Sequence, residues 1–213
     1  MSTGTTTETR RSRWPIAILA GLALVLLAVG MFWIGRATVV GTVPDSASAD
    51  AGFLRDMQTH HAQAVEMAML IRDRSADPEL CAIAYDIATA QSQQSGIMYG
   101  WLQQWGLDQY GTPMAWMQGT PGHSEHGGGG GEATAPMPGM ATPEQIAELT
   151  AATGVEAERI FLTLMIAHHE GGIAMAQAAE ELGAQPLVRD LAAKMIAAQT
   201  AEIATMQELL DAR

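Results

Sequence analysis

The six histidines of this chain fall into three pairs: His60-His61, His168-His169 and His123-x-x-His126. The two adjacent pairs are copies of one pattern. Met57-x-x-His60-His61-x5-Met67-Ala68 returns as Met165-x-x-His168-His169-x5-Met175-Ala176, at an offset of 108 residues. Imidazole nitrogen and thioether sulfur together suit soft or borderline metals, copper above all. Thioethers favour Cu(I), while Cu(II) is admissible where imidazoles dominate. The candidate ligands are therefore Met57, His60, His61, Met67, Met165, His168, His169 and Met175. Met98 and Met206, at matching places in the segments that follow, complete the set.

On a helix, side chains three or four residues apart share a face. Asp50, Phe53, Met57, His60, His61, Ala64, Met67 and Ala68 then fall within an arc of about 120°. Met57 and His61 are separated by about 6 Å of rise, close enough to chelate one ion, whereas His60 and Met67 lie about 10.5 Å apart and serve different positions or need ligands from another helix. Small residues around the pairs (Ala62, Ala64, Ala68, then Gly171, Gly172, Ala174, Ala176) leave room for long side chains to meet. A methionine stripe alone is ordinarily core, and an isolated histidine is ordinarily a hydrogen-bonded core residue. Duplication of the whole group favours a ligand role over a purely structural polar cluster. For Met67 and Met175 taken singly, ligand and packing stand level. Weaker candidates are Asp50 and Glu158, an acid one turn before each Phe, and His123, His126, Met137 and Met140 in a Gly/Pro-rich stretch.

The repeat extends past the pairs, aligning 53–102 with 161–210 without a gap. Each copy is long enough for two helices broken at Pro78 or Pro186, and two copies make a four-helix bundle from a duplicated hairpin. The period is too long, and the copies too few, for a solenoid. Asp50 is expected to N-cap a first helix running to about Arg74. Pro78 opens a second at its first position and Gly106 stops it. An insertion at about 107–141, carrying five consecutive glycines, is expected to hold no packed element from Gly127 to Met140. Thr142-Pro143-Glu144-Gln145 has the capping-box pattern and starts a short helix ending near Gly154. Long helices then cover about 155–182 and from Pro186 to the end. High Ala and Met content with only 5% aromatic residues agrees with an all-α reading.

Residues 15–35 carry no charge, which is long enough for a membrane-crossing helix. The basic stretch 1–14 holds Arg10, Arg11 and Arg13, which predicts a cytoplasmic N-terminus and an extracytoplasmic remainder. A cleaved signal is the alternative, but the apolar run is long and no small-x-small site follows it promptly. Residues 36–49 read as a linker and 50–213 as the helical domain. From Asp50 onward there are seven basic and 21 acidic residues, a net of −14 with neutral histidine, which disfavours nucleic acid as a partner. The single cysteine, Cys81, excludes an intrachain disulfide and reads best as a small buried hydrophobe.

In these residues the chain resembles the domain-of-unknown-function 305 family. The second copy carries the pattern most fully, in Glu158, Phe161-Leu162, Met165-Ile166, His168-His169, Met175-Ala176, Gln199, Glu202-Ile203 and Met206. The first copy carries it at Asp50, Phe53-Leu54, Met57, His60-His61, Met67-Ala68, Gln91 and Met98. It departs at Gln94, where the family more often has an acid, and at Gln58, where Ile is usual. The resemblance implies a ferritin-like four-helix bundle, commonly exported, with members similar in role to periplasmic copper-binding proteins.

The function expected is a membrane-anchored, extracytoplasmic metal-binding protein, a copper buffer or chaperone using His and Met ligands, with copper-handling or membrane-complex proteins as partners. One alternative is a structural or interaction subunit of a membrane complex. A metal-dependent oxidase is a weaker one, because di-iron bundles use Glu-x-x-His pairs and none occurs here.

Overall fold

The computed structural model describes residues 14–39, 43–117 and 137–213. His123 and His126 therefore lie outside the described residues, as does most of the glycine-rich stretch. The described residues are all-α, with six α-helices and one 3-10 turn. Two compact units divide at Val43. The first contains α1 (Trp14–Val39). Among the described residues no helix is long and apolar enough to cross a membrane.

The second unit is built from α2 (Ala49–Arg72), α3 (Pro78–Trp105), the 3-10 turn Ala115–Met117, α4 (Pro143–Ala151), α5 (Gly154–Leu182) and α6 (Pro186–Asp211). Local chemistry sets most boundaries. Asp77 accepts from the backbone N–H of Glu79 and Leu80 at the start of α3, and Gly106 ends that helix in the left-handed region at φ 68°. Thr142 and Gln145 form the reciprocal capping box of α4. The expectation for α2 needs correction: Ser48, not Asp50, is its N-cap, accepting from Ala51 N. Asp50 lies inside the first turn, and its carboxylate accepts from Ala184 N and Gln185 N in the α5–α6 turn.

Helix α2 packs on α3, α5 packs on α6, and the two hairpins meet along α2 and α5. The end contacts make α2 and α5 antiparallel. Asp50 near the start of α2 meets the end of α5, while Ser75 just past α2 donates to Glu158 near the start of α5. Arg213 closes the same end by pairing with both Glu158 and Asp77. Apolar burial forms two clusters. One gathers Met67, Phe161, Met165 and Met206 with Leu149 of α4. The other gathers Phe53, Met57, Met98 and Met175 with Trp116. The histidine pairs occupy the middle of α2 and α5.

The insertion is less independent than its composition suggests. Trp116 packs edge-on to Phe53 at 5.9 Å, and its indole N–H donates to buried Asp56, which also accepts from Met114 N. Desolvation raises the Asp56 pKa above its ordinary value, against the lowering effect of those two hydrogen bonds and of Arg55. The expectation of no packed element up to Met140 fails for 137–140. Pro138 and Gly139 lie directly on α5: a Cβ at Gly171 would stand 2.7 Å from Gly139 N, and one at Gly139 would stand 3.0 Å from His168 Cα. The glycines of this strap and of α5 let two backbones touch, a contact that composition does not reveal.

Candidate metal centre

His60, His61 and His169 are fully buried and His168 is 1% exposed. They converge: the His60 and His168 rings stand 3.8 Å apart between centroids, tilted by 36°, and His169 lies 6.4 Å from His168. The two pairs, 108 residues apart in sequence, thus meet across the α2–α5 contact. Met57, Met67, Met98, Met165, Met175 and Met206 are all fully buried as well. All ten principal candidates lie inside the helical core.

Three of the rings are held through the same nitrogen. His60 Nε2 lies 3.0 Å from Pro138 O, His61 Nε2 is 2.8 Å from Gln94 Oε1, and His169 Nε2 is 2.7 Å from Glu202 Oε2. A carbonyl, an amide oxygen or a carboxylate can only accept, so each Nε2 carries the proton. The lone pair is then on Nδ1. In all three residues Nδ1 is buried without a hydrogen-bond partner, and in His168 both ring nitrogens are. Gln91 leaves both side-chain polar atoms unpartnered, and Gln199 leaves its oxygen so. Buried polar atoms are almost always paired, and each exception costs about 1–3 kcal/mol. A cluster of exceptions in one place is the pattern of a site that accepts a ligand.

The electrostatics agree. Desolvation is the largest cause lowering the histidine pKa values: to about 4 for His60, about 3 for His61 and about 2 for His168. The neighbouring imidazoles push each further in the same direction. These rings stay neutral at physiological pH, the state in which a nitrogen lone pair can bind metal. Among the described residues no group of three or more His, Cys, Asp or Glu is arranged to hold a metal ion by itself. The donor set fits a soft ion all the same, because six buried thioethers accompany the imidazoles.

The weaker candidates are placed elsewhere. Asp50 and Glu158 sit at opposite ends of the hairpin pair, their oxygens taken up by the α5–α6 turn and by Ser75 and Arg213. Met137 and Met140 are half-buried in the strap, flanking Pro138 and Gly139. Cys81 is partly buried and near Ser75 O, also remote. Sequence reasoning missed the Pro138 carbonyl as the partner of His60. A backbone acceptor leaves no residue signature. Gln94 was visible only as a departure from the family pattern.

The chain is similar to several known proteins. The family profile "Domain of unknown function (DUF305)" matches residues 50–210. A DUF305 protein from Streptomyces coelicolor, named as a candidate secreted protein, is 40% identical, over 78% of this chain and 94% of that one, with a TM-score of 0.69. A DUF305 fragment from Deinococcus radiodurans is 30% identical, over 78% and 97%, with a TM-score of 0.62. CopM in its Cu(I)-bound form is 25% identical, over 76% and 95%, with a TM-score of 0.56, and its Cu(II)-bound form is similarly alike. No curated protein matches the chain.

Proposed function

The chain belongs to the DUF305 family, and from that premise we propose that it is a copper buffer or chaperone outside the cytoplasm, anchored by its N-terminal apolar helix. In this reading 50–213 form a ferritin-like four-helix bundle produced by duplication of a hairpin. Copper is the cargo. Met57, His60, His61, Met67, Met98, Met165, His168, His169, Met175 and Met206 receive it, as Cu(I) in preference to Cu(II).

The observation that carries this is the set of unpartnered imidazole nitrogens buried in the same helical unit as six fully buried thioethers. Such a core binds a polarisable monovalent ion without needing a carboxylate cage. It disfavours Zn(II), which takes thiolate, imidazole and carboxylate ligands in a closed tetrahedron. CopM, a relative of similar fold, is known in Cu(I)- and Cu(II)-bound forms. Anchoring rests on the uncharged run 15–35 and the three arginines before it. A domain named as a candidate secreted protein in a relative suits an extracytoplasmic address.

Competition titrations of the full-length chain, in mild detergent, against chelators of Cu(I) and of Zn(II) test the proposal. Cu(I) is expected to be held more tightly, and replacing His60, His61, His168 and His169 together by Ala to abolish binding while helicity persists. Tighter zinc binding, or no uptake of either ion, sinks it.

A further inference from the structure

Positions 108 residues apart hold His61 and His169 by the same ring nitrogen, but with different partners: the Gln94 amide in one case and the Glu202 carboxylate in the other. The methionines divide as the histidines do. Met57 and Met98 share one buried cluster with Met175, and Met165 and Met206 share the other with Met67. Of these six repeated methionines, each cluster thus takes two from one hairpin and a third from the opposite one, and the cluster of Met57 also holds Met117 and Met195.

Helix geometry makes each trio converge. Met57 precedes His61 by four residues and Met98 follows Gln94 by four. Because α2 and α3 form an antiparallel hairpin, both therefore lie about 6 Å from the His61 level towards the same end. Met175 follows His169 by six residues on antiparallel α5, about 9 Å towards that end. Helical side chains lean towards their own N-terminus. His61 and Met57 consequently lean outward along α2, while Met98 and Met175 lean back towards their level. The same construction, reversed, joins His169 with Met165, Met206 and Met67.

We infer that the core holds not one shared ion but two separate Cu(I) sites of unequal strength. Site one comprises His61 Nδ1 with Met57, Met98 and Met175; site two comprises His169 Nδ1 with Met165, Met206 and Met67, and it is the tighter. The closely apposed His60–His168 pair lies between them. The inequality arises at Gln94 and Glu202. A carboxylate hydrogen-bonded to the far nitrogen of a ligating imidazole makes that ring a stronger donor and places negative charge near the bound cation. Loss of such a partner typically costs about 10–100-fold in metal affinity. The Gln94 amide supplies neither effect in full. The consequence for a copper carrier is ordered loading, with site two filled first and site one the readily exchangeable position.

This inference rests on the copper reading, and one experiment separates the two. The full-length chain, labelled with 13C at the methionine methyls, is titrated anaerobically with Cu(I) against bicinchoninate. The first equivalent is expected to shift the methyl signals of Met165, Met206 and Met67, and the second those of Met57, Met98 and Met175. Glu202→Gln is expected to weaken the tighter step about tenfold or more and to level the two. Gln94→Glu is expected to tighten the weaker step by a similar factor, and this gain of affinity keeps the test alive if Glu202→Gln folds poorly. A single bound ion, two equal steps in the native chain, or first filling at Met57, Met98 and Met175 overturns the two-site inference and leaves copper binding standing. No Cu(I) uptake at all overturns both.

Discussion

Replacing Gly171 by Ala tests whether the strap at 137–141 is part of the histidine centre. In a helix interior this change is ordinarily favourable by about 1 kcal/mol, because alanine loses less backbone freedom than glycine. At Gly171 the new Cβ would stand 2.7 Å from Gly139 N, with the Pro138 backbone closer still. Both neighbours are backbone, so neither can swing aside as a flexible side chain would. The strap must retreat by most of an ångström to restore van der Waals contact. The His60 Nε2 to Pro138 O hydrogen bond, now 3.0 Å, does not survive that shift. A buried ring N–H left without an acceptor costs about 1–3 kcal/mol. Adding the disturbed packing, the clash outweighs the propensity gain, and a net loss of about 1–2 kcal/mol is expected. Gly100, on α3 with nothing within 4 Å of its would-be Cβ, is the internal control. Gly100→Ala is expected to stabilise by up to about 1 kcal/mol. Urea unfolding of both variants in metal-free buffer reads the two signs. Equal stabilisation by both substitutions would refute the claim that the strap bears on the centre.

Further outcomes follow from the same geometry. In metal-free protein, His60, His61 and His168 have folded pKa values of about 4, 3 and 2, below the ordinary 6.5. The unfolded chain takes up protons first, so stability should be complete above about pH 6.5 and fall as pH drops towards 4. His60 alone accounts for roughly 2–3 kcal/mol by pH 4.5. Urea midpoints at pH 7.5, 5.5 and 4.5 check this, and a flat profile above pH 4.5 contradicts it. Asp50→Ala removes the acceptor for two backbone N–H groups of the α5–α6 turn. It should cost about 1–3 kcal/mol while leaving copper stoichiometry unchanged; lost copper in a folded variant would make Asp50 a ligand. Asp56→Asn should loosen Trp116 from Phe53, read as a red-shifted, more quenchable tryptophan emission.

The helices were legible because their signals are local. Pro78 and Pro186 open helices, Gly106 and Gly183 follow helix ends, and Thr142 with Gln145 makes the capping box. The meeting of His60 with His168 follows from the repeat once the hairpins pair, since a motif at the middle of two equivalent helices then faces its copy. The assignment of Asp50 as a cap failed because a carboxylate in the first turn can serve a distant backbone instead, and spacing cannot say which. The strap escaped notice because its contacts are made by a carbonyl and by glycines, which lack the side chains that pattern reading depends on. Gln94 and Glu202 carried their information only as a pair, once the structure set each beside its histidine.

The central claim is that imidazole and thioether jointly hold copper in the helical core. X-ray absorption at the copper edge, on the full-length chain loaded with Cu(I), tests it most directly. The account predicts a first coordination shell of both sulfur and nitrogen, with the sulfur contribution reduced when Met165 and Met206 are replaced by Leu. A shell of nitrogen and oxygen only, unchanged by those substitutions, would contradict it.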